Sequence, residues 1–184
     1  MFESIQPSLS VQEYLDLEKS SKERHENIGG HLYAIAEASQ RHSRITGNIF
    51  TALWALSNGL GCRIFQNGMR LRIGEATFYY PDVMVVCEQE EPDPYFEVNP
   101  CILIEVLSPS TKTVDLREKM LEYKRLPSLH TYLIIDPESL FVRHLWRDEE
   151  GVWQQEGITG SGDLPLPYLN ATLSLSQIYR NVFN

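Results

Sequence analysis

Apolar residues recur along this chain in two rhythms, one helical and one extended. Ser10-Val11-Gln12-Glu13 has the form of a capping box and predicts a short helix through about Glu18. Between about Arg24 and Ala36, Gly29-Gly30 marks a turn joining two extended pieces. Over 42–60, Ile45, Ile49, Leu53, Leu56 and Leu60 recur at helical spacing, and Asn58-Gly59 with Gly61 ends that pattern. Residues 62–73 and 77–87 read as two strands. Residues 102–107 are nearly continuously apolar, the pattern of a central strand covered on both faces. A helix follows over about 114–125, stopped by Pro127, and 131–136 and 141–146 are further strands joined by a turn at 137–139. The tail reads as a loose β region with a short helix near 175–182. Strands surrounding a few helices predict an α/β (α+β mixed sheet) fold with helices on its faces.

A length of 184 residues suffices for one domain with a real core, so a single domain over 1–184 is expected. No apolar run approaches the ~20 residues that span a bilayer, and Met1–Ser10 lacks the basic and apolar regions of a signal peptide. Cys62, Cys87 and Cys101 are widely spaced and form no CxxC pair, and two of them sit in strand-like runs. Buried free thiols are therefore expected, rather than a zinc site or a disulfide framework. A soluble cytoplasmic protein with no membrane partner fits these features. The formal net charge of −9 opposes phosphate binding, which relies on clustered Lys and Arg. A local basic groove remains open, from Arg63, Arg70 and Arg72 or from Lys112, Arg117, Lys119, Lys124 and Arg125. Scattered solvated charges account for the same composition equally well.

Two carboxylates interrupt apolar runs. Asp82 stands between Tyr79-Tyr80-Pro81 and Val83-Met84-Val85-Val86, and Glu105 lies inside Ile102-Leu103-Ile104-Glu105-Val106-Leu107. An acid in a buried strand is costly unless paired or coordinated. Two such acids ~4 Å apart would repel by ~4 kcal/mol at an effective dielectric of 20. A hard divalent cation removes that penalty. Two unrelated acids, one beside a turn and one salt-bridged, explain the spacing just as well. In the helix that follows, Leu116, Met120 and Tyr123 form the inward stripe, flanked by Lys119 and Lys124. Periodicity does not choose which lysine, if either, reaches the strand end.

The blocks Tyr80-Pro81-Asp82-Val83, then Ile104-Glu105-Val106-Leu107-Ser108-Pro109-Ser110-Thr111, Glu118-Lys119 with Tyr123, and Tyr132-Leu133 running to Asp136 occur in order. With Arg24-His25-Glu26, Gly30 and the stretch from Ser39 to His42, they cover nearly the whole chain. In this order the chain resembles the Uma family of restriction-endonuclease-like proteins, a branch of the PD-(D/E)XK nuclease superfamily. The resemblance implies a restriction-endonuclease-like core, a mixed sheet with flanking helices. It implies that Asp82 and Glu105 bind metal together with the backbone carbonyl of Val106, and that Glu26 is an accessory acid. His42 matches a family histidine without an assigned role. The lysine expected two residues after Glu105 is Leu107, and the resemblance moves it to Lys119, with Lys124 second. Gly29 stands where relatives carry an acid. The implied function is Mg2+-dependent hydrolysis of DNA phosphodiesters, with Mn2+ as a substitute and a homodimer as a plausible assembly for double-strand cleavage. The alternative is an inactive nuclease-fold module that binds DNA or another protein.

Overall fold

The computed structural model describes residues 9–35, 37–57, 59–88, 93–108 and 115–183. The first helix, α1 (Val11–Ser20), opens at the predicted capping box: the Ser10 hydroxyl accepts the Glu13 N–H, and the Glu13 carboxylate accepts the Ser10 N–H. β1 (His25–Ile28) and β2 (His31–Ala34) form a hairpin. Its turn residues Gly29 and Gly30 both take positive φ (59° and 91°), which glycine adopts without steric cost. α2 (Gln40–Leu56) is capped by Ser39 and buries Ile45, Ile49 and Leu53. It ends at Ser57, short of the predicted limit, so Leu60 lies beyond it and is exposed.

The two strands predicted over 62–73 and 77–87 are in fact four. β3 (Arg63–Gln66) and β4 (Arg70–Ile73) are separated by a turn at which Asn67 is left-handed (φ 46°). β5 (Thr77–Tyr79) and β6 (Val83–Val86) are separated by Tyr80-Pro81-Asp82, where Pro81 has no N–H to give a ladder. At both breaks the chain leaves one sheet for another. β7 (Phe96–Glu97), too short to show in the apolar pattern, runs parallel to β4. β8 (Ile102–Val106) is buried at every position, antiparallel to β6 and parallel to β9 (Thr131–Asp136). A parallel pair requires a crossover, and α3 (Asp115–Lys124) lies on it. The predicted start of that helix at Val114, the stretch 109–112 and with it Lys112 lie outside the described residues. β10 (Phe141–Arg147) and β11 (Trp153–Thr159) extend the sheet, and the hairpin of β12 (Asp163–Leu166) and β13 (Ala171–Ser174) leads into α4 (Leu175–Ile178).

The result is a mixed α+β fold with a five-stranded sheet, β2-β1-β5-β4-β7, and a six-stranded sheet, β11-β10-β9-β8-β6-β3. Strand alternation divides the core between the faces of the larger sheet. Val83, Val85, Ile102 and Ile104 face α2 and the C-terminal elements, joining Ile45, Ile49 and Leu173. Met84, Leu103, Tyr123 and Tyr132 pack on the other face, beneath α3. Each such side chain contributes roughly 1.5–3 kcal/mol by leaving water. Alternation also puts Glu105 on the Leu103 side, toward α3.

The expectation of free thiols fails at one pair. Cys62 and Cys87 form a disulfide, while Cys101 is free and buried. β3 and β6 pair with Arg63 opposite Val86, so the next pair outward is Cys62 and Cys87. Sequence spacing does not reveal that register. The first basic group is consumed by the fold: Arg63 pairs with Glu97 at 2.9 Å, Arg70 is buried and donates to the Tyr95 carbonyl, and Arg72 lies over the Phe78 and Phe96 rings. Among the described residues, no helix is long and apolar enough to cross a membrane.

Candidate active site

Asp82 occupies the break between β5 and β6, where the chain passes from the smaller sheet to the larger. Its Oδ2 accepts the Val106 N–H at 2.8 Å and lies 3.1 Å from His42 Nε2. His42 sits in the first turn of α2, its own N–H bonded to the capping Ser39 hydroxyl. Glu105 stands one residue from the end of β8. Its Oε1 accepts the Tyr123 hydroxyl at 2.8 Å and lies 3.8 Å from Lys119 Nζ. The same ammonium is 2.7 Å from Glu26 Oε1 on β1, which also accepts the Tyr80 N–H at 3.2 Å.

Lys119 and Tyr123 are four residues apart on α3 and so share a face. Tyr123 is fixed by edge-on contacts with Tyr79 and Tyr132, ring centroids 5.5 and 5.3 Å away. The Lys119 ammonium also lies 5.5 Å from the centre of the Tyr79 ring. Lys124 is elsewhere, its ammonium 5.8 Å from the Trp153 ring centre. The structure therefore brings together Asp82, Glu105, Lys119, Glu26, Val106, His42 and Tyr123, and leaves Lys124 apart.

All of these groups but Tyr123 edge a cavity of about 640 Å3 whose lining includes Arg24, Glu26, His42, Asp82, Glu105 and Lys119. Leu107, at the position where the superfamily pattern has lysine, lines it too. Two contributors escape sequence reasoning. Tyr79 beneath Lys119 looks like one more core aromatic. Arg24, which donates to the Asn67 carbonyl at 2.7 Å and stacks over Tyr80, looks like a solvated charge. The available signal for Arg24 is that it precedes Glu26 by two residues, on the same side of an extended segment.

Burial sets the electrostatics. The Glu105 carboxyl is pushed up to about 8, chiefly by desolvation; Lys119 opposes that rise, and the charges of Asp82 and Glu26 add to it. The Tyr123 hydroxyl is held well above its usual range by burial and then by the Glu105 charge. Glu26 and Glu105 flank the Lys119 ammonium, and Asp82, beside His42, adds a further negative charge felt by Glu105. A cation bound among these acids would offset that charge. Asp82 and Glu105 each engage neighbours through one oxygen, and Asp82 Oδ1 and Glu105 Oε2 accept no hydrogen bond among the described residues. Among the described residues, no three His, Cys, Asp or Glu side chains converge as a complete cage. Two carboxylates, the Val106 carbonyl and water would make an oxygen-rich set that fits a hard cation retaining part of its hydration.

A family model described as "Uma2: Putative restriction endonuclease" matches residues 11–176. The chain is 30% identical over 178 residues to "Uncharacterized protein slr1290" of Synechocystis sp., covering 96% of this chain and 94% of that protein. It is 34% identical over 149 residues to "Uncharacterized protein sll1609" of the same organism, covering 79% and 84%. The crystal structure of "a putative nuclease belonging to DUF820" from Anabaena variabilis shares the fold, with a TM-score of 0.78 at 19% identity over 95% of this chain and 99% of that one. The matched span contains both sheets and every residue of the Asp82–Glu105 cavity named above, and the chain belongs to the Uma2 family.

Proposed function

We propose that this protein is a Mg2+-dependent endonuclease that hydrolyses DNA phosphodiester bonds, with Mn2+ able to replace Mg2+. The observation that carries this reading is the presentation of Asp82 and Glu105. Each is held through one oxygen, and both line a cavity that the buried Lys119 lines as well. Family membership and the shared fold support a nuclease in the broad sense.

Asp82, Glu105 and the Val106 carbonyl would hold the cation, with Glu26 as an outer contact. Such an ion would supply Lewis-acid chemistry at coordinated water and at the phosphate. The chain's own groups do the positioning. The Val106 N–H and His42 fix the plane of the Asp82 carboxylate, and the Tyr123 hydroxyl fixes Glu105. Lys119, paired with Glu26, can donate to the attacking water or to an oxygen of the scissile phosphate. Arg24 is the lining cation with no carboxylate partner among the described residues, and it suits a neighbouring phosphate.

Asp82→Ala should abolish Mg2+-dependent nicking of plasmid DNA while leaving the circular dichroism spectrum unchanged. Parental cleavage rates in that variant would remove the assignment. A second reading, an inactive DNA-binding or protein-interaction module, draws on Leu107 in place of lysine and on the net charge of −9. It predicts no nicking with any divalent cation.

A further inference from the structure

The strands that carry the acids also carry sulfur at their opposite ends. Asp82 precedes β6 and Cys87 follows it; Cys101 precedes β8, and Glu105 lies near the far end of that strand. The five residue steps from Asp82 to Cys87 span roughly 17 Å of extended chain. At the sulfur end, Cys87 is bonded to Cys62, and the Cys101 sulfur lies 3.4 Å from the Cys87 sulfur. The Cys101 thiol donates to the Val85 carbonyl at 3.4 Å, which leaves lone-pair density free to face Cys87. Cys87 thus has two sulfur neighbours, one bonded and one in contact. Cys101 is 2% exposed, whereas Cys62 and Cys87 are half-buried.

We propose that Cys62, Cys87 and Cys101 form a thiol–disulfide exchange site in which Cys87 can bond either neighbour, making Cys62 a latent thiol for small-molecule disulfides. The first step is an isomerisation. Cys101 gives its proton to hydroxide, and its thiolate attacks Cys87 Sγ in line with the existing bond. The Cys87–Cys101 bond forms, the Cys62–Cys87 bond breaks, and Cys62 leaves with the electron pair as a thiolate. No external oxidant or reductant is consumed. In the second step the Cys62 thiolate attacks a disulfide R–S–S–R, giving Cys62–S–S–R and releasing R–S⁻.

Which sulfur is released follows from position. Cys62 lies just before β3 and is partly exposed, so it can meet a solute, whereas Cys101 is buried against Val85. Burial pushes the Cys101 thiol up to about 12, so the attacking thiolate is scarce near neutrality and exchange is faster at alkaline pH. The site is independent of phosphodiester chemistry, and its test does not depend on any nuclease activity.

The full chain, purified without reductant, is incubated in its native state with oxidised glutathione at mildly alkaline pH, quenched in acid and mapped by mass spectrometry without reduction. The expected products are a glutathione adduct on Cys62 and a Cys87–Cys101 cross-linked peptide in equal amounts. In Cys101→Ser, which keeps a donor for the Val85 carbonyl, adduct formation on Cys62 should be at least about tenfold slower, because the internal nucleophile is gone. In Cys62→Ser, diamide should cross-link Cys87 to Cys101. Circular dichroism confirms folding, and either variant decides the matter if the other fails to fold. Cys62 adducts that leave Cys101 a free thiol would overturn the proposal. So would equal adduct rates in Cys101→Ser, or a Cys62→Ser protein in which no Cys87–Cys101 peptide forms.

Discussion

Replacing Lys119 with Met removes one charge from the centre of the acidic cluster while nearly conserving side-chain length. The ammonium lies 2.7 Å from Glu26 Oε1 and 3.8 Å from Glu105 Oε1. At an effective dielectric of 20 those contacts correspond to gross attractions of about 6 and about 4 kcal/mol. The net effect is smaller, because the charges have already lost solvation; removing one partner of a buried ion pair typically costs about 3–5 kcal/mol. The loss should depend on pH. The Glu105 carboxyl moves from an ordinary 4.5 to about 8 on folding. Because that value is raised, the contribution to stability is full below 4.5 and is lost as pH rises through 8. Lys119 limits the rise, so without it Glu105 stays protonated to still higher pH and the variant falls furthest behind when alkaline. Urea denaturation in EDTA should show a deficit at both pH values, larger near pH 9, where it reaches about 3–5 kcal/mol, than near pH 5, where only the Glu26 pair is lost. At about 2–4 °C per kcal/mol for a chain of this size, the alkaline melting point drops by roughly 6–20 °C. An equal deficit at both pH values would refute the reasoning, as would a deficit under about 1 kcal/mol at the alkaline end.

Other perturbations separate the remaining parts of the site. Tyr123→Phe keeps the ring contacts but deletes the donor to Glu105; stability above pH 8 should fall by about 1.5–3 kcal/mol by denaturation, and cleavage by about tenfold or more in kcat. Arg24→Gln should raise KM with little change in kcat and reduce the slope of log binding constant against log salt by about 0.9, measured on duplex DNA in Ca2+. The double variant Cys62→Ala/Cys87→Ala opens a loop whose ends are 25 residues apart and should lose about 3 kcal/mol relative to the oxidised parent.

The acids Asp82 and Glu105 were legible in the sequence because a charge inside an apolar run is itself an anomaly. β8 and the helical stripe of α2 were legible for a related reason, since one face or both are uniformly buried. What failed was long-range register. The runs 62–73 and 77–87 look continuous because residues on either side of each break are equally apolar, although they belong to different sheets. The Cys62–Cys87 bond and the Glu26–Lys119 pair were hidden for the same reason: each joins residues that only strand pairing or helix docking brings together. Lys119 and Lys124 flank the same stripe of α3, so periodicity does not choose between them. The resemblance favours Lys119, and the docked helix sets an ammonium between two carboxylates there and one over an indole at Lys124. Pro81 was the one local hint that the second run was broken, since it cannot donate to a ladder.

The break at Tyr80-Pro81-Asp82 has a consequence for how the protein fails. Glu26 comes from the smaller sheet, Glu105 from the larger, Lys119 from the helix on the crossover, and Asp82 from the joint where the chain changes sheets. No single piece of secondary structure holds more than one of these four groups, so no partly folded form that lacks either sheet can hold the cluster. The cavity acts as a coincidence detector for tertiary assembly: the four groups meet only when both layers and the docked helix are in place together, and they part when any one of them lets go.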